Sequence, residues 1–176
     1  MTVKPGWSGR SYEDFVVGDI YHHPLGRTIT QTDNIWFSLL TMNTAPIHFD
    51  QHYASQTEFG RPLVNSCLTF AIVTGQSVTD VSQRVFANLG WNDVRIPAPV
   101  FEGDTLYSHS EVLSKRESAS RDDVGIVTVR STGTNQDGST VITFTRTLLV
   151  YKRGKGPTNP LPAVEQRDQG APAQSG

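Results

Sequence analysis

The feature that most restricts what this chain can become is a change of hydrophobic period partway along it. Val64, Cys67, Leu68, Ala71, Ile72, Gly75 and Val78 recur at the spacing of one helical face. Phe70 and Val73 widen that face, so the spacing predicts a helix between Val64 and Val81 enclosed on more than one side. Gly75 within it costs about 1 kcal/mol against alanine, which predicts a close neighbour there. Cys67, on the same apolar face, reads as core. Further on the period becomes two. Val127 and Val129 alternate with Thr128 and Arg130; Ile142, Phe144, Leu148 and Val150 share a strand face interrupted by Arg146. Asn135-Gln136-Asp137-Gly138 between these runs is a hairpin signal, since glycine tolerates positive φ. Thr105 to Leu113 reads as another strand entered by the Gly103-Asp104 turn, and 84–91 with 93–96 as one strand or two.

The N-terminal part reads as a short strand followed by helices. Thr32 or Asp33 should cap a helix that buries Ile35, Trp36, Leu39 and Leu40. Asp50 should cap one or two turns through Tyr53 and Ala54, ended by Gly60-Arg61-Pro62. One long helix that a later antiparallel sheet must cover is an α+β arrangement, with the sheet curled around a central helix. That is the hot-dog fold. The expected division is an N-terminal extension (1–10), one folded domain (11–153) and a flexible tail (154–176) too poor in apolar residues to offset its ordering entropy.

Several function classes fall away. The length of 176 residues suits one domain, and 15 Lys plus Arg against 17 Asp plus Glu give a net charge of −2, with no basic excess for nucleic acid. A single cysteine, Cys67, excludes a disulfide framework and a cysteine-rich zinc site, so a cytoplasmic protein is expected. No apolar run approaches the ~20 residues of a membrane helix, and no apolar core follows the N-terminal Lys4 to make a signal peptide. The adjacent His22 and His23 would point to opposite faces of a strand, so no metal site is expected.

Two segments carry chemistry. One is Thr41-Met-Asn-Thr-Ala-Pro-Ile-His48-Phe-Asp50, with Tyr53-Ala54 and Phe59-Gly60-Arg61-Pro62 after it; the other is Pro97-Ala-Pro-Val-Phe-Glu-Gly-Asp104. In this order, with the long helix between, they resemble the MaoC-like family of R-specific enoyl-CoA hydratases over roughly Tyr12 to Arg153. Pro46, Ile47, His48, Asp50, Tyr53, Ala54, Pro99, Val100, Gly103 and Asp104 match its pattern. Two departures stand out: Asn43 and Ala45 replace the motif's Asp and Asn, and Asn65-Ser66 replaces His-Gly. The combination is similar to the branch associated with itaconyl-CoA and mesaconyl-CoA hydration.

The resemblance implies a hydratase or dehydratase acting across the α,β double bond of a short, branched or dicarboxylic enoyl-CoA. No cofactor is implied, CoA being part of the substrate. His48 would be the acid/base, since imidazole titrates near neutrality. Asn43 cannot accept a proton and would orient water or substrate. Either His48 acts largely alone, or the substrate's own carboxylate shares the task, or Asp33, Asp50 or Glu58 substitutes. Asn65 and Ser66 would meet the thioester, its carbonyl at the helix N-terminus by Ser66. Arg27, Arg61 and Arg95 are candidates for a distal carboxylate, and Lys115-Arg116 and Arg121 for CoA phosphates. The rival readings are a hot-dog thioesterase and a non-catalytic acyl-CoA-binding or partner subunit. Open sheet edges predict a homodimer or higher homo-oligomer.

Overall fold

A computed structural model describes residue 4 and residues 6–158; most of the expected tail, 159–176, lies outside the described residues. The elements in chain order are β1 (Ile20–His22), β2 (Arg27–Thr28), α1 (Gln31–Leu40), α2 (Gln51–Ser55), α3 (Ser66–Gln76), β3 (Val85–Arg95), β4 (Thr105–Glu117), β5 (Val124–Thr134) and β6 (Thr140–Tyr151). Tight turns of 3-10 type cover Tyr12–Asp14 and Pro46–His48. The six strands form one sheet in the order β1-β4-β5-β6-β3, paired antiparallel, with β2 on a further stretch of the β4 edge that β1 uses. The α+β hot-dog arrangement is as the period change predicts. The segments expected as one strand or two form the single strand β3, kinked by three register shifts against β6.

The central helix differs from its sequence outline. It ends at Gln76, and a separate π-helical turn covers Val78–Ser82. Leu68, Thr69 and Val73 face the sheet, whereas Cys67, Ala71, Gly75 and Val78 are exposed. Cys67 is therefore not core, and nothing lies near Gly75. The cause is that α3 is apolar on both sides, so its period could not say which side meets the sheet. The bulkier row packs inward. Gly133 of β5 makes room for it, because a Cβ there would lie 2.7 Å from a Val73 methyl and 2.8 Å from one of Ile142.

Two apolar clusters sit along the inner sheet face. One joins Val73 and Leu68 to Ile29, Val100, Leu106, Ile142 and Phe144; the other joins Tyr12 and Phe15 to Val112, Val127, Val129, Leu148 and Val150. A polar belt separates them. Arg146 is 3% exposed, its Nε donating to Asn88 Oδ1 (2.7 Å) and its Nη1 to Ser77 Oγ (3.2 Å), and burial pulls its pKa down to about 10. Beside it His23 lies between Asp80 Oδ2 (3.0 Å, from Nδ1) and Ser110 Oγ (3.0 Å, from Nε2), and Ser110 meets Ser131 at 2.8 Å.

Burial holds the His23 pKa below its ordinary value of 6.5, against the opposing pull of Asp80. The unfolded chain then takes up a proton that the folded chain resists. Stability should be full above that ordinary value and fall as pH drops below it. His109, lowered by partial burial and by His22, adds to the same slope. Urea midpoints measured from pH 8 to 5 should decline on the acid side, and His23→Gln should flatten the decline. A wild-type midpoint unchanged across that range would contradict this account.

Candidate active site

The site grows from the inner face of α1, which is polar. Thr30, not Thr32 or Asp33, caps the helix: its Oγ1 accepts from Asp33 N (3.2 Å), and Asp33 Oδ2 accepts from Thr30 N (2.8 Å). The buried residues are Asn34 and Ser38, while Trp36, Leu39 and Leu40, expected inside, are 66%, 56% and 76% exposed. The reason is what the helix covers. The chain at 48 and 63 turns bare carbonyls toward it, and buried carbonyls need donors. Asn34, with no exposure, supplies them from Nδ2 to His48 O (2.8 Å) and Leu63 O (2.9 Å), and its Oδ1 accepts from Asn65 N (2.9 Å). Ser38 Oγ accepts from Asn65 Nδ2 (3.2 Å).

His48 ends the Pro46–His48 turn. Asp50 closes it, accepting from Tyr53 N at 2.9 Å and capping α2 as the sequence predicts. His48 Nδ1 lies 3.0 Å from Leu63 O. A carbonyl only accepts, so Nδ1 must carry the hydrogen, and Nε2 is left as the nitrogen that can take or give a proton. Asn43 follows Met42, whose φ of 58° puts a non-glycine residue in the left-handed region at the end of α1. Asn43 Oδ1 accepts from Ala45 N (3.0 Å), which leaves its two amide hydrogens to donate.

The N-terminus of α3 lies behind Leu63. Asn65 is its cap, with Oδ1 accepting from Cys67 N (2.9 Å); Ser66 is the first helical residue. Amides on both sides of Ser66 are bonded within the chain, whereas that of Ser66 has no acceptor among the described residues. Ser66 lines a cavity of ≈ 250 Å³ with Phe59, Leu63, Val64, Thr69 and residues 96–100. Its lining side chains are apolar apart from those of Ser66 and Thr69. A wider hollow of ≈ 640 Å³ is bounded only by the loop Ser118–Asp123 and lacks such a wall.

Of the predicted residues, Ser66 lines the cavity, His48 is tied to the lining residue Leu63, and Asn65 and Asn43 are joined through Ser38. The arginines separate. Arg27 bonds Asp33 Oδ1 (2.7 Å) and the carbonyl of Thr28. Arg95 is exposed at the end of β3. Arg61 is exposed and stacks on Phe101, 3.8 Å from guanidinium carbon to ring centroid, between the cavity residues Phe59 and Leu63 in sequence. Lys115 donates to the carbonyls of Tyr12 (3.2 Å) and Phe15 (2.8 Å), and Arg121 grips Asp123 at 2.7 and 2.9 Å. Lys115 is about 30 Å along β4 from Thr105 at strand rise, far from the cavity within one chain. Sequence reasoning missed Asn34, Ser38 and Glu102. Asn34 and Ser38, polar at i and i+4 opposite an apolar face, were the available signal for the first two. Glu102 Oε1 lies 3.3 Å from Asn34 Nδ2. Among the described residues no cluster of His, Cys, Asp and Glu could hold a metal ion, and no helix is long and apolar enough to cross a membrane.

Comparison with known proteins bears on family and fold. A family model described as a MaoC like domain matches residues 14–135. The mesaconyl-CoA hydratase of Cereibacter sphaeroides is 31% identical over 159 residues, covering 90% of this chain and 46% of that protein. The beta-methylmalyl-CoA dehydratase of Chloroflexus aurantiacus is 34% identical over 154 residues, 88% of this chain and 43% of that one. The chain thus spans about half the length of these curated relatives. A solved structure from Archaeoglobus, described as a monoamine oxidase regulatory protein, superposes with a TM-score of 0.72 at 32% identity, covering 82% of this chain and 95% of that one.

Proposed function

The chain belongs to the MaoC-like domain family, and on that footing we propose that it is a hydratase/dehydratase of short enoyl-CoA thioesters, adding or removing water across the α,β double bond. One observation carries the reading: the His48 imidazole is anchored through Nδ1 on the Leu63 carbonyl, which leaves Nε2 for proton transfer. The free Ser66 amide at the α3 N-terminus suits the thioester oxygen, where negative charge develops as Cβ is attacked. The Asn43 amide hydrogens suit the incoming water or the substrate. The apolar cavity has room for a short, branched acyl chain.

The substrate class we favour is dicarboxylic: the mesaconyl-CoA type, as the names of the relatives suggest, or the itaconyl-CoA type that the sequence motifs resemble. Arg61 is the best supported counter-ion for the remote carboxylate, being held by stacking and free of any carboxylate among the described residues. The test is a panel of crotonyl-, mesaconyl- and itaconyl-CoA, followed by loss of enoyl absorbance and by mass. A gain of one water with the thioester intact is expected. Arg61→Met should lower kcat/KM on the dicarboxylic thioester roughly 10- to 100-fold and on crotonyl-CoA by less than about threefold. Equal losses on both would sink the assignment of Arg61. Release of free CoA would make the protein a thioesterase, and binding without conversion a non-catalytic subunit.

A second copy of the chain is the natural partner. The outer edge of β3 is unpaired among the described residues, and Phe86, Leu89, Trp91 and Val94 along it are exposed, as are Trp36, Leu39 and Leu40 on α1. Light scattering should give about twice the 19.4 kDa of one chain; a monomer would refute the pairing.

A further inference from the structure

Adding water to an enoyl thioester moves two protons, one away from the attacking water and one onto Cα. Asn43 can carry neither. Most carboxylates around the His48 loop are already engaged. Asp33 is bound into the α1 cap and to Arg27, Asp50 caps α2, and Asp104 accepts from Phe101 N (2.8 Å) and Gln136 Nε2 (3.0 Å). Glu58 is exposed, with no hydrogen bond among the described residues. Glu102 is different. It is half-buried, and its Oε1 is the third and most distant acceptor on an Asn34 amide whose two hydrogens already serve His48 O and Leu63 O. Its carboxylate is therefore close to the His48 main chain, and that 3.3 Å contact is its one side-chain hydrogen bond among the described residues, which leaves Oε2 unbonded. The Leu63–Phe101 bridge joins its backbone to the segment whose carbonyl anchors the imidazole. The other charged groups on the surrounding elements are the Arg27–Asp33 pair, Asp104 in its own turn, and Arg61 over Phe101.

We propose that Glu102 is the carboxylate that works opposite His48 in place of the one absent at Asn43, an inference that rests on the hydratase reading. The water oxygen forms the bond to Cβ as one of its protons passes to the Glu102 carboxylate. The π-electron pair, held briefly as the enolate, forms the Cα–H bond with the proton on His48 Nε2. Return of the proton from Glu102 to His48 closes the cycle, with one water added.

The experiment compares wild type, Glu102→Gln, and Glu102→Gln combined with Asn43→Asp on mesaconyl-CoA across pH, with butyryl-CoA binding measured alongside. Glu102→Gln should lower kcat by about 10²–10³-fold, keep KM within about threefold and lose the acid limb of the kcat profile. The added Asn43→Asp should return at least about tenfold of the rate and restore that limb, because it supplies a carboxylate from the loop that carries His48. Retained activity in Glu102→Gln, beside an active wild type, overturns this inference and leaves the hydratase reading standing. Loss that Asn43→Asp does not relieve, or loss accompanied by weaker butyryl-CoA binding, gives Glu102 a structural role and also overturns it. A wild type silent on every enoyl thioester removes the reading and the inference together.

Discussion

Replacing His48 by alanine is expected to lower kcat for hydration by about 10²–10⁴-fold, the usual loss when a positioned acid/base is removed. The fold should hardly notice. The imidazole is only half-buried and contributes one hydrogen bond, from Nδ1 to Leu63 O, worth about 1 kcal/mol net. The informative companion is His48→Gln, which can still donate to that carbonyl but offers no titratable nitrogen. It should be nearly as inactive as the alanine variant while melting like wild type. If glutamine kept more than about a tenth of the rate, His48 would be a scaffold for the loop and proton transfer would lie elsewhere. Steady-state kinetics with a thermal melt on the same samples separates the two.

Asn34→Ala should be the most damaging polar substitution in the chain. It strips the donor from His48 O and Leu63 O and the acceptor from Asn65 N, all around a side chain with no exposure. Leu63 O keeps the His48 ring as a partner, so the loss is concentrated on two orphaned groups. At ~1–3 kcal/mol for each unsatisfied buried group, about 3 kcal/mol of stability should go, equivalent to roughly 6–12 °C in Tm for a domain of this size. Asn34→Asp sharpens the test. It preserves the acceptor for Asn65 N but turns a carboxylate toward two carbonyls and Glu102, so it should be at least as unstable at neutral pH and recover in part when acidified. Equal stability of all three proteins would mean that the loop and α3 are held by apolar packing alone.

The legible parts of the fold were those written in local chemistry. Asp50 before Tyr53-Ala54 and Asn135-Gln136-Asp137-Gly138 each constrain only their neighbours, and each does in the structure what its residues dictate. The errors came where a distant partner decides. Trp36, Leu39 and Leu40 look like a buried face, yet the side of α1 that turns inward is the one able to donate to carbonyls up to 29 residues away. On α3 either apolar row could have met the sheet; the small residues at 67, 71 and 75 lost to Leu68 and Val73 because Gly133 makes room beneath Val73. The end of that helix was equally hidden, since Ser77 is held by Arg146, 69 positions on. Within the site, a motif could point to His48 and Asn43 but could not show that Asn34 ties together the carbonyls of 48 and 63, the amide of 65 and the Glu102 carboxylate.

The most direct test of the central claim is to incubate the protein with mesaconyl-CoA in oxygen-18 water and read the intact thioester by mass spectrometry. A hydratase centred on His48 should yield a thioester heavier by one labelled water, made by wild type and not by His48→Ala. Label found instead in a released free acid, or a labelled thioester made equally well by the variant, would contradict it.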